Sequence, residues 1–182
     1  MLKNLLAIAA TLILMSACAE QKPTMPQQEI TFCEIVNKYR DIYVSESNKD
    51  FYIDKEAKLA SIFSDRTTQL IQVLGDGNIV GWQGYIKQIL SSKEGAFLEV
   101  TLPCKVELKP QDNLIIKINT PLYESLRNFH EKSEIHFSGN FLVSPTNVPS
   151  EFPYKAYYGE TSFTETGSMR EPELLFMFRE LK

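Results

Sequence analysis

Three cysteine thiols are the groups in this chain whose setting points to covalent chemistry. Cys18 comes directly after the run Leu-Met-Ser-Ala at positions 14–17. Ahead of it lie Lys3 and an apolar stretch at positions 5–15. A positive charge, a short apolar segment and small residues before a cut are the pattern of an exported chain's leader. We therefore expect a signal peptide over residues 1–18, with the thiol of Cys18 at its end.

The run around Cys18 resembles the signal of a Gram-negative bacterial lipoprotein, although Met15 stands where such signals usually have leucine. The resemblance implies that Cys18 is lipidated and that its acyl chains anchor the mature protein to a membrane. Ala19, rather than aspartate, follows the cysteine, and in these lipoproteins that choice favours the outer membrane. We therefore expect an outer-membrane lipid anchor with the folded domain in the periplasm.

Two other interpretations of this segment stay open. It is also compatible with an ordinary secretory signal that is cut elsewhere, or with a buried hydrophobic helix. A transmembrane anchor is disfavoured, because the apolar run is shorter than the roughly 20 residues that cross a bilayer.

The rest of the chain has the composition of one acidic domain. The net charge of the chain is −4, and it becomes about −5 once Lys3 leaves with the signal. An excess of acid disfavours non-specific binding to nucleic acid, which depends on basic surfaces. Residues 19–28 are polar and contain two prolines, which predicts a flexible tether. Residues 29–182 then predict a single globular domain.

With Cys18 lipidated, Cys33 and Cys104 remain as an even pair in an oxidising compartment. This arithmetic predicts a disulfide between them, and two separate buried thiols are the alternative. His130 and His136 do not stand at a zinc-binding spacing from these cysteines. We therefore expect no metal and no cofactor.

The apolar periodicity predicts an α+β fold. Apolar residues recur at steps of three and four through the region 29–75, which predicts helices, with a break near Ser64 and Asp65. After the turn that ends at Asn78 the period changes to two, which predicts strands through the region 78–182. The third of these strands is predicted at 114–118.

A short helix is predicted to open at Thr120 and Pro121, after the third strand and before the fourth at 135–143. A last strand is predicted at 174–181. This order resembles the oligonucleotide/oligosaccharide-binding (OB) fold. The resemblance implies N-terminal helices followed by a five-stranded, OB-like antiparallel barrel or sheet, with one helix between strands 3 and 4. An unrelated α+β sheet packed on the N-terminal helices would fit the same pattern.

Four tyrosines are the predicted contacts with a ligand or partner. Tyr154, Tyr157 and Tyr158 belong to an aromatic segment at 151–158, between the predicted fourth and fifth strands, and Tyr85 lies on the first strand. In OB-like barrels that connection borders the binding face, and tyrosine rings suit stacking on sugars or anchoring a protein. The alternative is that this loop folds over the barrel and buries its aromatic rings.

We expect from these features a non-enzymatic binding module for a protein or a cell-envelope glycan. The sequence has no Gly-x-Ser-x-Gly element to place a nucleophilic serine. One alternative is a structural or assembly subunit of an envelope complex that uses its N-terminal helices. Another is an envelope hydrolase that acts through carboxylates such as Glu171 and Glu173.

Overall fold

The structure, a computed structural model, describes residues 24–111, 114–143, 158–161 and 164–182. Its helices are α1 (Gln27–Ser47), α2 (Lys55–Leu74), α3 (Pro121–Leu126) and α4 (Glu165–Arg170). Its strands are β1 (Asn78–Ser91), β2 (Gly95–Thr101), β3 (Glu107–Lys109), β4 (Ile116–Lys117), β5 (Glu134–Phe141) and β6 (Glu173–Leu181). No helix of the described ranges is both long enough and apolar enough to span a bilayer.

Five strands close into a barrel in the order β1, β5, β6, β3, β2 and back to β1, and β4 pairs with β2 outside it. The predicted α+β class with an OB-like barrel is confirmed. The barrel is mixed rather than wholly antiparallel, because β3 and β6 run parallel. The helix predicted between the third and fourth barrel strands is present as α3, with β4 interposed before it.

The third barrel strand lies earlier than predicted. The barrel uses β3, three residues around Leu108, whereas the predicted region 114–118 supplies only the two-residue β4. Three residues are too few for alternation to stand out in a sequence. β3 is held by its neighbours instead, since Leu108 pairs with Val100 of β2 and Leu174 of β6.

Helices α1 and α2 form an antiparallel hairpin. Gln28 Nε2 donates to the Val73 carbonyl (3.1 Å), and Gln69 Nε2 donates to the Tyr39 hydroxyl (2.7 Å). The predicted break near Ser64 is absent, because α2 runs without interruption. The apolar stripe of α1 faces inward, as its periodicity predicts. Its buried members are Phe32, Ile35, Val36, Tyr39 and Tyr43.

Aromatic packing attaches α1 to the barrel. The ring of Phe32 lies 5.2 Å from that of Trp82 on β1 and 5.6 Å from that of Phe141 on β5, measured between centroids. The predicted disulfide is also confirmed, and it joins Cys33 of α1 to Cys104 just after β2, with 5.3 Å between their Cα atoms. The hairpin is thus fixed to the barrel both covalently and by packing.

Two glycines lie where barrel strands approach each other closely. Gly84 lies against β2, where an added Cβ would fall 2.5 Å from Cγ1 of Val100. Gly139 lies at a register shift between β5 and β6, and its Cβ would fall 2.2 Å from the Met177 carbonyl oxygen. Both positions therefore require a residue without a side chain.

Candidate functional site

Of the two predicted contact tyrosines that the structure describes, Tyr85 lies at the surface. It lies in the middle of β1, where it pairs with Thr101 of β2 and Glu134 of β5, and 48% of it is exposed. Residues directly opposite each other on antiparallel strands direct their side chains to the same face. Tyr85 and Thr101 therefore share the outer surface of the barrel.

Tyr158 is placed differently from its prediction as a contact. It is 4% exposed, its ring lies 5.7 Å from that of Phe141, and its hydroxyl donates to the Gly75 carbonyl (2.9 Å). This environment agrees with the alternative in which the aromatic segment completes the core. A partner at the surface does not reach this ring. Tyr154, Tyr157 and the lipidation residue Cys18 lie outside the described residues.

A polar cleft of about 630 Å³ lies beside the disulfide, near the face that carries Tyr85. Helix α1 forms one wall, the turn from β2 to β3 forms the second, and the segment from α4 to β6 forms the third. The charged groups of these walls include both signs. The cleft is lined by Asn37, Arg40, Asp41, Thr101, Pro103, Cys104, Lys105, Glu107, Arg170, Glu171 and Glu173.

Arg40 connects the three walls of the polar cleft. Its Nε donates to the Arg170 carbonyl (2.9 Å), its Nη1 to Asn37 Oδ1 (2.8 Å) and its Nη2 to the Cys104 carbonyl (2.9 Å). Desolvation lowers the pKa of Arg40 from its usual value. The bonds to the Arg170 and Cys104 carbonyls join α1 to the other two walls, and the bond to Asn37, also on α1, holds the planar guanidinium in place.

A lysine–glutamate network adjoins the cleft through Glu107 and Glu173, which line it. Lys87 Nζ lies 2.5 Å from a Glu107 carboxylate oxygen, and Lys109 Nζ lies 2.8 Å from one of Glu173. Hydrogen bonds from Lys109 and from the Thr161 hydroxyl lower the pKa of Glu173. A general acid needs a pKa raised towards neutrality. The environment of Glu173 therefore suits ligand contact better than the acid role considered for it.

Glu29 is a carboxyl group whose pKa is raised towards neutrality, but it is not among the residues that line this cleft. It is fully buried between α1 and β1, and burial raises its pKa to about 7. Its Oε2 accepts from the Gln83 backbone N–H (2.9 Å). A group without surface access does not meet a substrate, so we assign Glu29 a structural role.

Sequence reasoning missed Arg40, which organises the cleft. The available signal was an arginine adjoining the buried stripe of α1, directly after Tyr39 and three residues before Tyr43. A charged side chain at the border of the packed face becomes partly buried, so its guanidinium needs hydrogen-bond acceptors within the protein. Its acceptors are 64 and 130 residues away along the chain, so no local pattern names them.

The histidines and acids of the described ranges form no group of three that could hold a metal ion. Nδ1 of His130 lies 3.1 Å from the hydroxyl oxygen of Ser133, just after α3.

Comparisons of the chain with protein-family models, with curated proteins and with solved structures found no match. The class of protein is therefore defined by architecture: a helical hairpin attached to an OB-like barrel.

Proposed function

We propose that this chain is an envelope lipoprotein, anchored to the outer membrane through Cys18, whose periplasmic OB-like domain is a non-enzymatic binding module. Its ligand is an envelope protein or a cell-envelope glycan. The polar cleft beside the disulfide is the observation that carries the binding role. The anchor rests on the sequence around Cys18 and on the polar tether at 19–28.

The polar cleft suits a ligand that is rich in hydroxyl or amide groups. Its volume lies within the range of about 300–1,000 Å³ that is usual for ligand sites. Asp41 and Glu171 offer acceptors from opposite walls, and Lys105 offers a donor. Thr101 lines the cleft and pairs with Tyr85, so an exposed aromatic ring lies beside these polar groups. Stacking on a ring next to hydrogen-bonding groups is a common way to hold a sugar or a protein loop.

The test of this proposal is a crosslinking pull-down of the lipidated full chain from intact envelopes. Tyr85→Ala and the double variant Asp41→Asn with Glu171→Gln should each reduce capture at least fivefold. Val80→Ser is the matched control, because Val80 is also exposed on β1 but, unlike Tyr85, is not paired with a residue that lines the cleft. Equal capture by all of these variants would exclude the cleft as the binding site.

Two further readouts complete the test. Cys18→Ala should release the protein from the membrane fraction, and retention there would contradict the lipid anchor. Recovery of glycan fragments rather than a stoichiometric protein would identify the ligand class as carbohydrate. Thermal unfolding of each variant checks that the barrel is intact.

The tip of the helical hairpin supports a second candidate function, an assembly subunit that uses its N-terminal helices. Between α1 and α2, Phe51 is 86% exposed and Ile53 is 82% exposed. Hydrogen bonds to the C-terminal end of α1 fix the conformation of this loop. The Tyr52 hydroxyl donates to the Glu46 carboxylate, and Lys55 Nζ donates to the Ser47 carbonyl (2.8 Å). Large apolar side chains presented on a fixed loop are typical of a protein contact.

The double variant Phe51→Ser with Ile53→Ser separates this candidate from the cleft. If the chain is an assembly subunit, this variant should lose its co-purifying protein, while Tyr85→Ala keeps it. The opposite pattern would assign the contact to the polar cleft. Because both side chains are exposed, each of the two substitutions should change the free energy of unfolding by no more than about 0.5 kcal/mol.

A further inference from the structure

An apolar pocket of about 350 Å³ lies on the opposite side of β6 from its β5 pairing, next to α3. Leu98 of β2, Ile116 of β4 and Leu122 of α3 line it together with Phe176 and Phe178 of β6. The rings of Phe176 and Phe178 pack against each other, with 4.8 Å between their centroids, and both are buried. This pocket shares no lining residue with the polar cleft.

The pocket arises because two strands separate. β6 pairs with β3 only as far as Leu175, since β3 ends at Lys109. Further along, β4 pairs with β2 rather than with β6. The side chains of Phe176 and Met177 therefore border a gap in place of a neighbouring strand. The gap is a property of the strand lengths, so it is present before a ligand binds.

Two cations border this apolar surface. Lys117 and Arg179 line the pocket and are both exposed, and the described residues that line it include no acid. Within the described residues neither side chain makes an ion pair. These two cations form a positive rim on a chain whose net charge is −4. Such a rim attracts an anionic group.

We propose that this pocket binds the alkyl chain of a long-chain carboxylate, with the carboxylate held at the rim by Lys117 and Arg179. The volume is at the small end of the usual range for ligand sites and suits one alkyl chain. The apolar lining contacts the alkyl chain of the ligand, and the two cations bind its carboxylate. The proposal does not depend on what the polar cleft binds.

The test uses the full chain carrying Cys18→Ala in detergent-free buffer, with octanoate, decanoate and dodecanoate as probes. Each methylene that enters the pocket should strengthen binding by roughly fourfold, so dodecanoate should bind about 15-fold more tightly than decanoate. A photoreactive dodecanoate should label the segment that contains Met177 or the one that contains Leu122. Mass spectrometry of the labelled peptides locates the adduct.

Three variants test the two parts of the site. Leu122→Trp should fill the pocket and remove binding, with thermal unfolding as the check on its fold. Lys117→Gln with Arg179→Gln should weaken dodecanoate by roughly three- to tenfold while leaving dodecanol unchanged. Lys38→Gln with Lys58→Gln, at exposed positions on α1 and α2, is the charge-matched control and should bind like the parent chain.

Several outcomes would overturn the proposal. Affinity that does not rise with chain length would exclude an alkyl site, and adducts confined to other parts of the chain would place binding elsewhere. Dodecanol binding as tightly as dodecanoate would exclude the role of the rim.

Discussion

The guanidinium of Arg66 on α2 lies 2.8 Å from the carboxylate of Glu160, and both side chains are buried. Nη1 of Arg66 also donates to the Ser168 carbonyl at 2.7 Å, and the Ser168 hydroxyl bonds to Glu160. Helix α2, Glu160 and helix α4 are therefore joined by one charged network. This network holds the connection that leads into β6.

Glu160→Ala should destabilise the fold by about 3–5 kcal/mol, because it leaves the buried Arg66 cation without its partner. The double variant Arg66→Met with Glu160→Leu should recover most of that loss, since two apolar side chains avoid the desolvation cost. Urea unfolding of the three proteins measures both effects. A cost below about 1 kcal/mol for the single variant would show that water reaches the pair.

Removing the disulfide should lower the free energy of unfolding. Cys33 and Cys104 are 71 residues apart, and closing a loop of this length stabilises a fold by about 2–4 kcal/mol. Cys33→Ala with Cys104→Ala should therefore unfold at lower urea than the parent chain. Reductant should lower the parent's stability and leave the variant's unchanged. A parent chain that is insensitive to reductant would contradict the contribution of this bond.

Glu29 should make stability depend on pH. Burial raises its pKa from 4.5 to about 7 in the folded chain. Between these values the folded state holds a proton that the unfolded state releases, so the contribution of Glu29 to stability is present at low pH and is lost as pH rises through about 7. We expect a fall on the order of 2 kcal/mol across this window.

Glu29→Gln should abolish that fall, because the amide does not titrate. Urea midpoints measured from pH 4.5 to about pH 7 give the comparison. Glu34→Gln is the control, since Glu34 lies exposed on the same helix and should leave the slope as it is. Parallel pH profiles for the parent and Glu29→Gln would assign the dependence to another group.

Tyr85 and Tyr158 should respond in opposite ways to alanine. Tyr158→Ala removes a buried ring and should cost about 3–5 kcal/mol, whereas Tyr85→Ala should stay within about 0.5 kcal/mol of the parent. Tyr158→Phe keeps the ring and removes the hydrogen bond to the Gly75 carbonyl, which should cost about 1 kcal/mol. Thermal unfolding separates the three. A large loss for Tyr85→Ala would place that ring in the packed structure.

The fold was predictable where its signals are local. The stripe around Phe32 and Tyr39 follows from helical periodicity, and the shift at Gly139 follows from a glycine interrupting an alternating strand. The disulfide followed from the count of cysteines. β3 was not predictable in this way, because its three residues are strand only through pairing with β2 and with β6, which begins more than 60 residues later.

The polar groups show the same division. In the sequence, Arg66 is one of several charged residues of α2. In the fold it is buried and forms an ion pair with Glu160, which is 94 residues further along the chain. Arg40 likewise becomes the centre of the polar cleft through carbonyls of two distant segments. Neither burial nor a hydrogen-bond partner at such separations leaves a periodic trace in the sequence.

The sequence by itself determined the class of fold, the faces of the first two helices, and the pairing of Cys33 with Cys104. Tertiary structure decided which tyrosine is buried, where the strands separate beside α3, and how Arg40 joins the walls of the polar cleft. The physical reason is one of range. Periodicity and residue counts record what neighbouring residues share, while the burial of a single polar or aromatic side chain depends on segments that meet only when the barrel closes.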